Sequence, residues 1–325
     1  MQLLQKILNK FNGLNYKQEY LCLAKESFQD PLHVYAISEN KIIREITSHH
    51  LFVGYSPLVF AFPSFNEINL SQIDNIIIAF TQKAGKPNEI FNKKDALATI
   101  HFKKIPEQFA GQNAIYFYEG IKAKYSFLNS FSQFILQLNN DLYNKKPGNI
   151  FLPGNLYKQV QVAYAVPRNI SLITVKQNDL FNLFPTDLHG QIDDSHYLIS
   201  LRNGGRAAQQ VETINKILVS EVHAEFYKKA YSLGKNHMQE LKGKDQFPFG
   251  NELSQMFQLP LPQSVTFYRE LELLDLFDHG IHRFFLFKII NKRQVENNPS
   301  TLAHVHNVYA TWRHNKGLPG NYLFR

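Results

Sequence analysis

The chain has 325 residues, 44% hydrophobic and 19% charged, a balance that fits a folded protein and excludes a disordered one. That length favours two domains, each able to bury a core. The formal net charge of +8 is spread over separated pairs such as Lys93-Lys94, Lys103-Lys104, Lys145-Lys146 and Lys228-Lys229. It therefore reads as solvated surface rather than a nucleic-acid footprint.

At the start, Leu3, Leu4, Ile7, Leu8 and Phe11 recur at helical spacing, which predicts a helix over Met1 to Phe11 closed by Asn12-Gly13. This segment lacks the apolar run and cleavage site of a signal peptide, and no stretch of the chain has enough apolar residues to span a membrane. A cytoplasmic protein without a membrane partner is expected. Cys22, the single cysteine, lies between Leu21 and Leu23; it excludes an intrachain disulfide and reads as a packed thiol. Apolar, β-branched and aromatic runs predict strands at Tyr20 to Ala24, Leu32 to Ile37, Lys41 to Ile46, Leu51 to Val53, Leu58 to Phe62, Ile76 to Thr81, Ala96 to Phe102 and Ala114 to Tyr118. Turn residues such as Glu39-Asn40 and Gly85-Lys86-Pro87 separate them. Tyr125 to Leu138 has the spacing of an amphipathic helix. The polar stretch Asn139 to Asn149 predicts the domain boundary, giving a β-rich domain over residues 1–145 and a second domain over 150–325.

The second half opens with a buried strand, Ile170 to Val175. A polar, Pro-containing loop or irregular strand follows over Asn182 to Gly190, then a strand over Tyr197 to Arg202. That strand runs into Asn203, Gly204, Gly205 and Arg206, where exposed backbone N–H groups beside a cation make a candidate phosphate cradle. Helices are expected at Gln209 to Thr213 and His223 to Leu233, and a loop over Phe247 to Pro262. Val265 to Phe277 and Arg283 to Ile290 read as two long strands around the turn Asp278 to His282. Thr301 to Trp312 reads as a last strand and Asn315 to Arg325 as an irregular tail.

The halves share a pattern. Phe60-Ala-Phe-Pro63 precedes Ile76 to Thr81 as Asn182-Leu-Phe-Pro185 precedes Tyr197 to Arg202, and each strand leads into a Gly-rich turn. One reading is a diverged second copy of a single domain, placed in tandem. The other is chance likeness between two β-rich halves.

The order of these parts, from Tyr164-Ala-Val-Pro-Arg168 through Asn182, Thr186, Asp187, Ser200, Leu201 and Arg206 to Asp278-His-Gly-Ile-His282, resembles the flavin reductase-like family, the FMN-binding split β-barrels. The resemblance covers roughly residues 156–308. It implies a mainly β (α+β) fold with a split barrel in the C-terminal half. It also implies an NAD(P)H-dependent flavoprotein oxidoreductase passing hydride to flavin N5, acting as a homodimer or, through a tandem copy, as an intrachain pseudo-dimer. The phosphate of FMN would sit on Gly205, Arg206, Ala208 and Gln209, with Arg202 adding charge. The ring would lie against Asn182, Pro185, Thr186, Asp187, Ser200 and Leu201, with backbone N–H groups at its N1–O2 edge, where charge builds on reduction. His282 would approach the nicotinamide or substrate side as the catalytic residue. Many members carry a hydroxyl residue just after the arginine, where this chain has Ala207 and Ala208.

Plainer readings stand beside these roles. Arg206 can be a surface arginine, Asn182 and Asp187 can bond their own loop, and His282 can be a turn histidine without a ligand. The histidines (His49-His50, His279, His282, His304, His306) lack cysteine or acidic partners at zinc-like spacing, so no metal is expected. No Walker-type, Gly-x-Ser-x-Gly or Gly-x-Gly-x-x-Gly motif is present. A non-catalytic flavin-binding protein and a cofactor-less interaction protein are the alternative functions.

Overall fold

The computed structural model describes residues 12–24, 28–48, 50–63, 70–109, 114–145, 150–297, 300–320 and 323. The helix expected over Met1 to Phe11 lies outside them. The fold is mainly β, and every strand pairing among the described residues is antiparallel.

Two sheets dominate. The first holds β2 (His33–Ser38), β3 (Lys41–Glu45), β4 (Leu51–Tyr55), β5 (Leu58–Pro63), β6 (Asn75–Thr81), β7 (Ala96–Phe109) and β8 (Ile115–Tyr125). The second holds β10 (Ser171–Gln177), β11 (Leu180–Thr186), β12 (His189–Gln191), β13 (His196–Arg202), β14 (Lys216–Val222), β15 (Lys242–Gly243), β18 (Val265–His279) and β19 (His282–Gln294). Across the first sheet the order is β3-β2-β6-β7-β8-β5-β4; across the second it is β11-β10-β14-β18-β19-β13-β12, with β15 added outside β11. Counted along the chain, both are the order 2-1-5-6-7-4-3. The halves are therefore topological copies of one another.

The correspondence differs from the sequence alignment. Strand β5 stands in the place of β13, and β6 in the place of β14, whereas the motif match set β5 against β11 and β6 against β13. Short apolar strands ending in Pro or Gly look alike, so the alignment slipped by one hairpin.

The two sheets meet through corresponding strands. Val59, Ala61 and Phe117 of the first half share one buried cluster with Leu198 and Phe284 of the second. Phe117 and Phe284 approach to 5.4 Å between ring centres. Ala61 pairs with Phe117 as Ser200 pairs with Phe284, so equivalent patches face each other, as in an isologous dimer interface.

Most strands lie where periodicity placed them, and the differences have local causes. The helix expected over Tyr125 to Leu138 is α1 (Ser130–Tyr143): β8 runs on to Tyr125, and Asn129 caps the helix by accepting from the Ser132 N–H at 2.8 Å. The first residues of the stretch expected as the boundary, Asn139 to Tyr143, thus belong to a helix. The segment Tyr164 to Arg168, where the resemblance begins and which resembles the family's opening strand, is instead the exit of α2 (Asn155–Ala163), and only β9 (Arg168–Asn169) is extended. The expected last strand divides into β20 (Leu302–His306) and α5 (Asn307–Asn315). The His306 side chain caps that helix by accepting from the Val308 N–H. Strand β20 pairs with β1 (Tyr20–Ala24), so the C-terminal segment packs back beside the start of the described chain. The loop over Phe247 to Pro262 contains a small hairpin, β16 (Phe249–Leu253) with β17 (Pro260–Pro262).

Candidate functional site

A cavity of about 340 Å³ opens where β11, β13 and the start of α3 (Arg206–Ile214) converge. Strand β11 contributes Pro185 and Thr186 and leads into Asp187 and Leu188; β13 contributes Ser200, Leu201 and Arg202. The turn after β13 adds Gly205, Ala207 and Ala208. Gly204 holds φ +81° there, a left-handed conformation that suits glycine. Residue by residue, Pro185, Thr186, Asp187, Ser200, Leu201, Arg202, Gly205, Ala208 and His282 line the cavity. Asn182, Arg206 and Gln209 do not.

These three have other partners. Asn182 is fully buried; its side-chain N–H groups donate to Gln210 Oε1 at 2.7 Å and to the Asn236 carbonyl at 3.0 Å, and its Oδ1 accepts from the Leu183 N–H. Arg206 pairs through Nε with Glu240 at 2.9 Å and donates from Nη1 to Gln209 Oε1 at 3.1 Å, on an exposed surface. Its helix start nevertheless faces the cavity. Gly205 at the N-cap offers no side chain to the first N–H groups of α3, so these remain for water or a ligand.

The Asp187 carboxylate, at the cavity's edge, already has partners. Its Oδ2 accepts from the Tyr164 hydroxyl at 2.8 Å and from His304 Nδ1 at 2.9 Å. Burial alone would raise the Asp187 pKa, but the His304 hydrogen bond and charge hold it below the usual carboxylate value. Burial likewise opposes a charge on His304, yet the contacts with Asp187 and Cys22 raise its pKa to about 9. The pair is ionised at neutral pH. It lines a second cavity of about 380 Å³ beside Tyr20 and Tyr164, which shares Tyr55, Asp187 and Arg202 with the first.

His282 is buried in the wall. Its Nε2 accepts from the Tyr55 backbone N–H at 3.2 Å, so the ring hydrogen is on Nδ1, which donates to Ser200 Oγ at 3.1 Å. Burial, with Arg202 nearby, pushes its pKa down to about 3. It is neutral with both nitrogens engaged.

Four lining residues, Tyr55, Gly234, His237 and Met238, carried no motif in the sequence. Tyr55 comes from the first half, where its hydroxyl accepts from Arg202 Nε at 3.3 Å. His237 follows the short helix α4 (Tyr227–Ser232); its Nε2 donates to the Pro185 carbonyl at 2.6 Å, and burial lowers its pKa. Among the described residues, no group of three or more His, Cys, Asp and Glu side chains could hold a metal ion. No helix among them is long and apolar enough to cross a membrane.

No protein-family model matches the chain, and no curated protein matches it. Solved structures do. An FMN-binding protein from Thermus thermophilus with bound p-hydroxybenzaldehyde is 18% identical, with 43% of this chain and 86% of that chain covered at a TM-score of 0.38. The NADH:FAD oxidoreductase of Streptomyces globisporus is 16% identical, with 49% and 94% covered at 0.41. The styrene monooxygenase flavin reductase of Pseudomonas putida is 15% identical, with 45% and 92% covered at 0.38. Over about half its length, this chain resembles flavin reductases and FMN-binding proteins.

Proposed function

We propose that the chain is an FMN-binding flavoprotein oxidoreductase of the flavin reductase type, with NAD(P)H as co-substrate. The observation that carries this reading is the convergence of three features on one cavity: the β11 end from Pro185 to Leu188, the β13 end from Ser200 to Arg202, and the uncapped start of α3. Bound FMN would supply the two-electron chemistry, accepting hydride at N5.

The chain's own residues suit such a guest in three ways. Helix-start N–H groups and Arg202 offer donors and positive charge to a phosphate. Pro185, Leu188, Leu201 and Ala207 offer apolar wall to a flat ring. The Asp187 charge is directed at His304 and Tyr164, which spares a reduced, anionic ring from repulsion. His282 is already neutral and doubly hydrogen-bonded. In this reading it positions Tyr55 and Ser200 around the cavity and moves no proton.

A second reading, binding of flavin without turnover, is favoured by one observation: Arg206 is engaged with Glu240 and Gln209, and Ala207 and Ala208 supply no hydroxyl. Mixing the purified protein with FMN and NADH or NADPH separates the two. Oxidation of nicotinamide supports the enzyme. Flavin retained without oxidation supports the binding protein, and absence of saturable FMN binding removes both.

A further inference from the structure

The tandem topology exposes a difference between the halves. The connection from β14 to β18 spans residues 223–264 and contains the β16–β17 hairpin, whereas the equivalent connection from β6 to β7 spans only residues 82–95. In the second half the hairpin covers the outer sheet face. Leu259 and Leu261 pack on Leu218 and Tyr268. The Glu270 carboxylate anchors the hairpin by accepting from the Met256 and Phe257 N–H groups at 3.0 and 2.6 Å.

The first half lacks that hairpin; its shorter connection covers part of the equivalent face, with Phe91 packed against the buried Tyr35, Ile37, Ile42 and Ala79. Thr99 stands in the place of Glu270, for Ala79 faces Thr99 as Leu218 faces Glu270. At Thr99 lies a cavity of about 550 Å³, larger than the one at α3. Its floor is apolar, with Ile37 and Ile77, and Phe91 brings an aromatic ring to it. Its polar rim is basic: Lys93, Lys124 and His101 line it, and no carboxylate does. By contrast, Lys83 and Lys104 elsewhere in this half are paired with Asp95 and Asp74. The positive potential registers on His101, whose pKa is lowered first by partial burial and then by Lys124, Lys93 and Lys122.

We propose that this cavity is a second ligand site, for an aromatic organic anion. The ring system would take the place that the hairpin's Leu259 and Leu261 take in the second half. The acid group, a carboxylate or sulfonate, would meet Lys93 and Lys124. A cavity with an apolar floor favours a ligand with an apolar body, and lysines with no carboxylate in the lining favour one that carries negative charge. The site is independent of the flavin reading, since none of its lining residues belongs to the cavity at α3.

The test uses the full chain, titrated with 8-anilinonaphthalene-1-sulfonate and followed by fluorescence. Two variants read the two halves of the claim: Lys93→Ala/Lys124→Ala removes the cations, and Thr99→Trp fills the cavity. Saturable binding is expected in the parent, about tenfold weaker in the double lysine variant through loss of two charge-assisted contacts, and absent in Thr99→Trp. The uncharged analogue N-phenyl-1-naphthylamine should bind the parent more weakly than the sulfonate and be indifferent to the lysines. Failure of the parent to bind the sulfonate, or equal affinity in parent and both variants, overturns the site. Loss in Thr99→Trp alone overturns the assignment of an anion.

Discussion

The backbone N–H of Tyr55 donates to Nε2 of His282 at 3.2 Å, across 227 positions of sequence. Their rings meet edge to face at 4.6 Å. One contact thus joins the two halves, sets the histidine tautomer and forms part of the candidate flavin cavity. His282→Phe leaves the Tyr55 N–H and Ser200 Oγ without that partner. It should destabilise the protein by about 1–3 kcal/mol, the usual cost of orphaned buried polar groups, measured by urea unfolding. If His282 positions rather than transfers protons, nicotinamide oxidation should show no pH step attributable to it near 6.5, the ordinary histidine value.

The buried histidines predict opposite limbs of a stability profile. His282 is lowered to about 3 and His189 to about 4. The unfolded chain therefore binds protons there that the native chain does not. Their contribution is present above pH 6.5 and is lost as pH falls below it toward these values. His304, raised to about 9, acts in the other direction: its contribution is full below pH 6.5 and is lost as pH rises through 9. Urea midpoints measured from pH 5 to 10 should fall on both sides, and His304→Gln should flatten the alkaline limb only.

The Asp187–His304 pair gives a sharper expectation. Asp187→Asn keeps one side-chain oxygen but removes the negative charge that Tyr164 and His304 share. It should cost about 1–3 kcal/mol, as expected where a part-buried charge-assisted hydrogen bond is weakened. The His304 pKa, followed by NMR, should fall from about 9, since the Asp187 charge no longer opposes the effect of burial. A His304 pKa unchanged in this variant would contradict the charge assignment.

Gly280 carries φ +58° in the turn between β18 and β19. A Cβ there would overlap the Pro57 ring and lie 2.5 Å from the Ser56 carbonyl oxygen. The neighbouring Ile281 N–H donates to that same carbonyl at 3.1 Å. Gly280→Ala therefore pushes on the junction of the halves as well as straining its own backbone. A loss of about 2 kcal/mol or more is expected, with weakened flavin binding because Tyr55 and His282 lie beside the turn. Wild-type stability and affinity in this variant would show that the junction tolerates displacement.

Much of this architecture was legible in the sequence because strands announce themselves through alternating or continuous apolar runs. Tyr20 to Ala24, Leu58 to Phe62 and Tyr197 to Arg202 lie within a residue or so of their observed bounds. The tandem character was also visible, although its register was not: Pro63 and Pro185 end strands that look alike but hold different places in the sheets. Of the cavity lining, the residues close to one another in sequence, from Pro185 to Asp187 and Ser200 to Ala208, could be grouped through motif order. Tyr55, Gly234, His237 and Met238 could not, because each arrives from an element well separated in sequence from those motifs. The side-chain commitments of Asn182 and Arg206 depend on Gln210, Asn236 and Glu240. Such partners are set by tertiary packing, which no local spacing records.

The phosphate handle can be apportioned by substitution. Arg202 lines the cavity whereas Arg206 leans onto Glu240. Arg202→Ala should weaken FMN binding by about tenfold, the loss of roughly one charge-assisted contact. Glu240→Ala should tighten it by releasing Arg206 toward the helix start. Flavin fluorescence quenching measures both, and tighter binding in Arg202→Ala would reverse the assignment.

The most direct test of the central claim is the absorbance spectrum of the full chain after incubation with FMN and desalting, repeated after addition of NADH or NADPH. The structure predicts flavin retained in the cavity bounded by Thr186, Ser200 and Gly205, and bleached by the nicotinamide. A desalted protein that carries no flavin would contradict the assignment of this cavity as an FMN site.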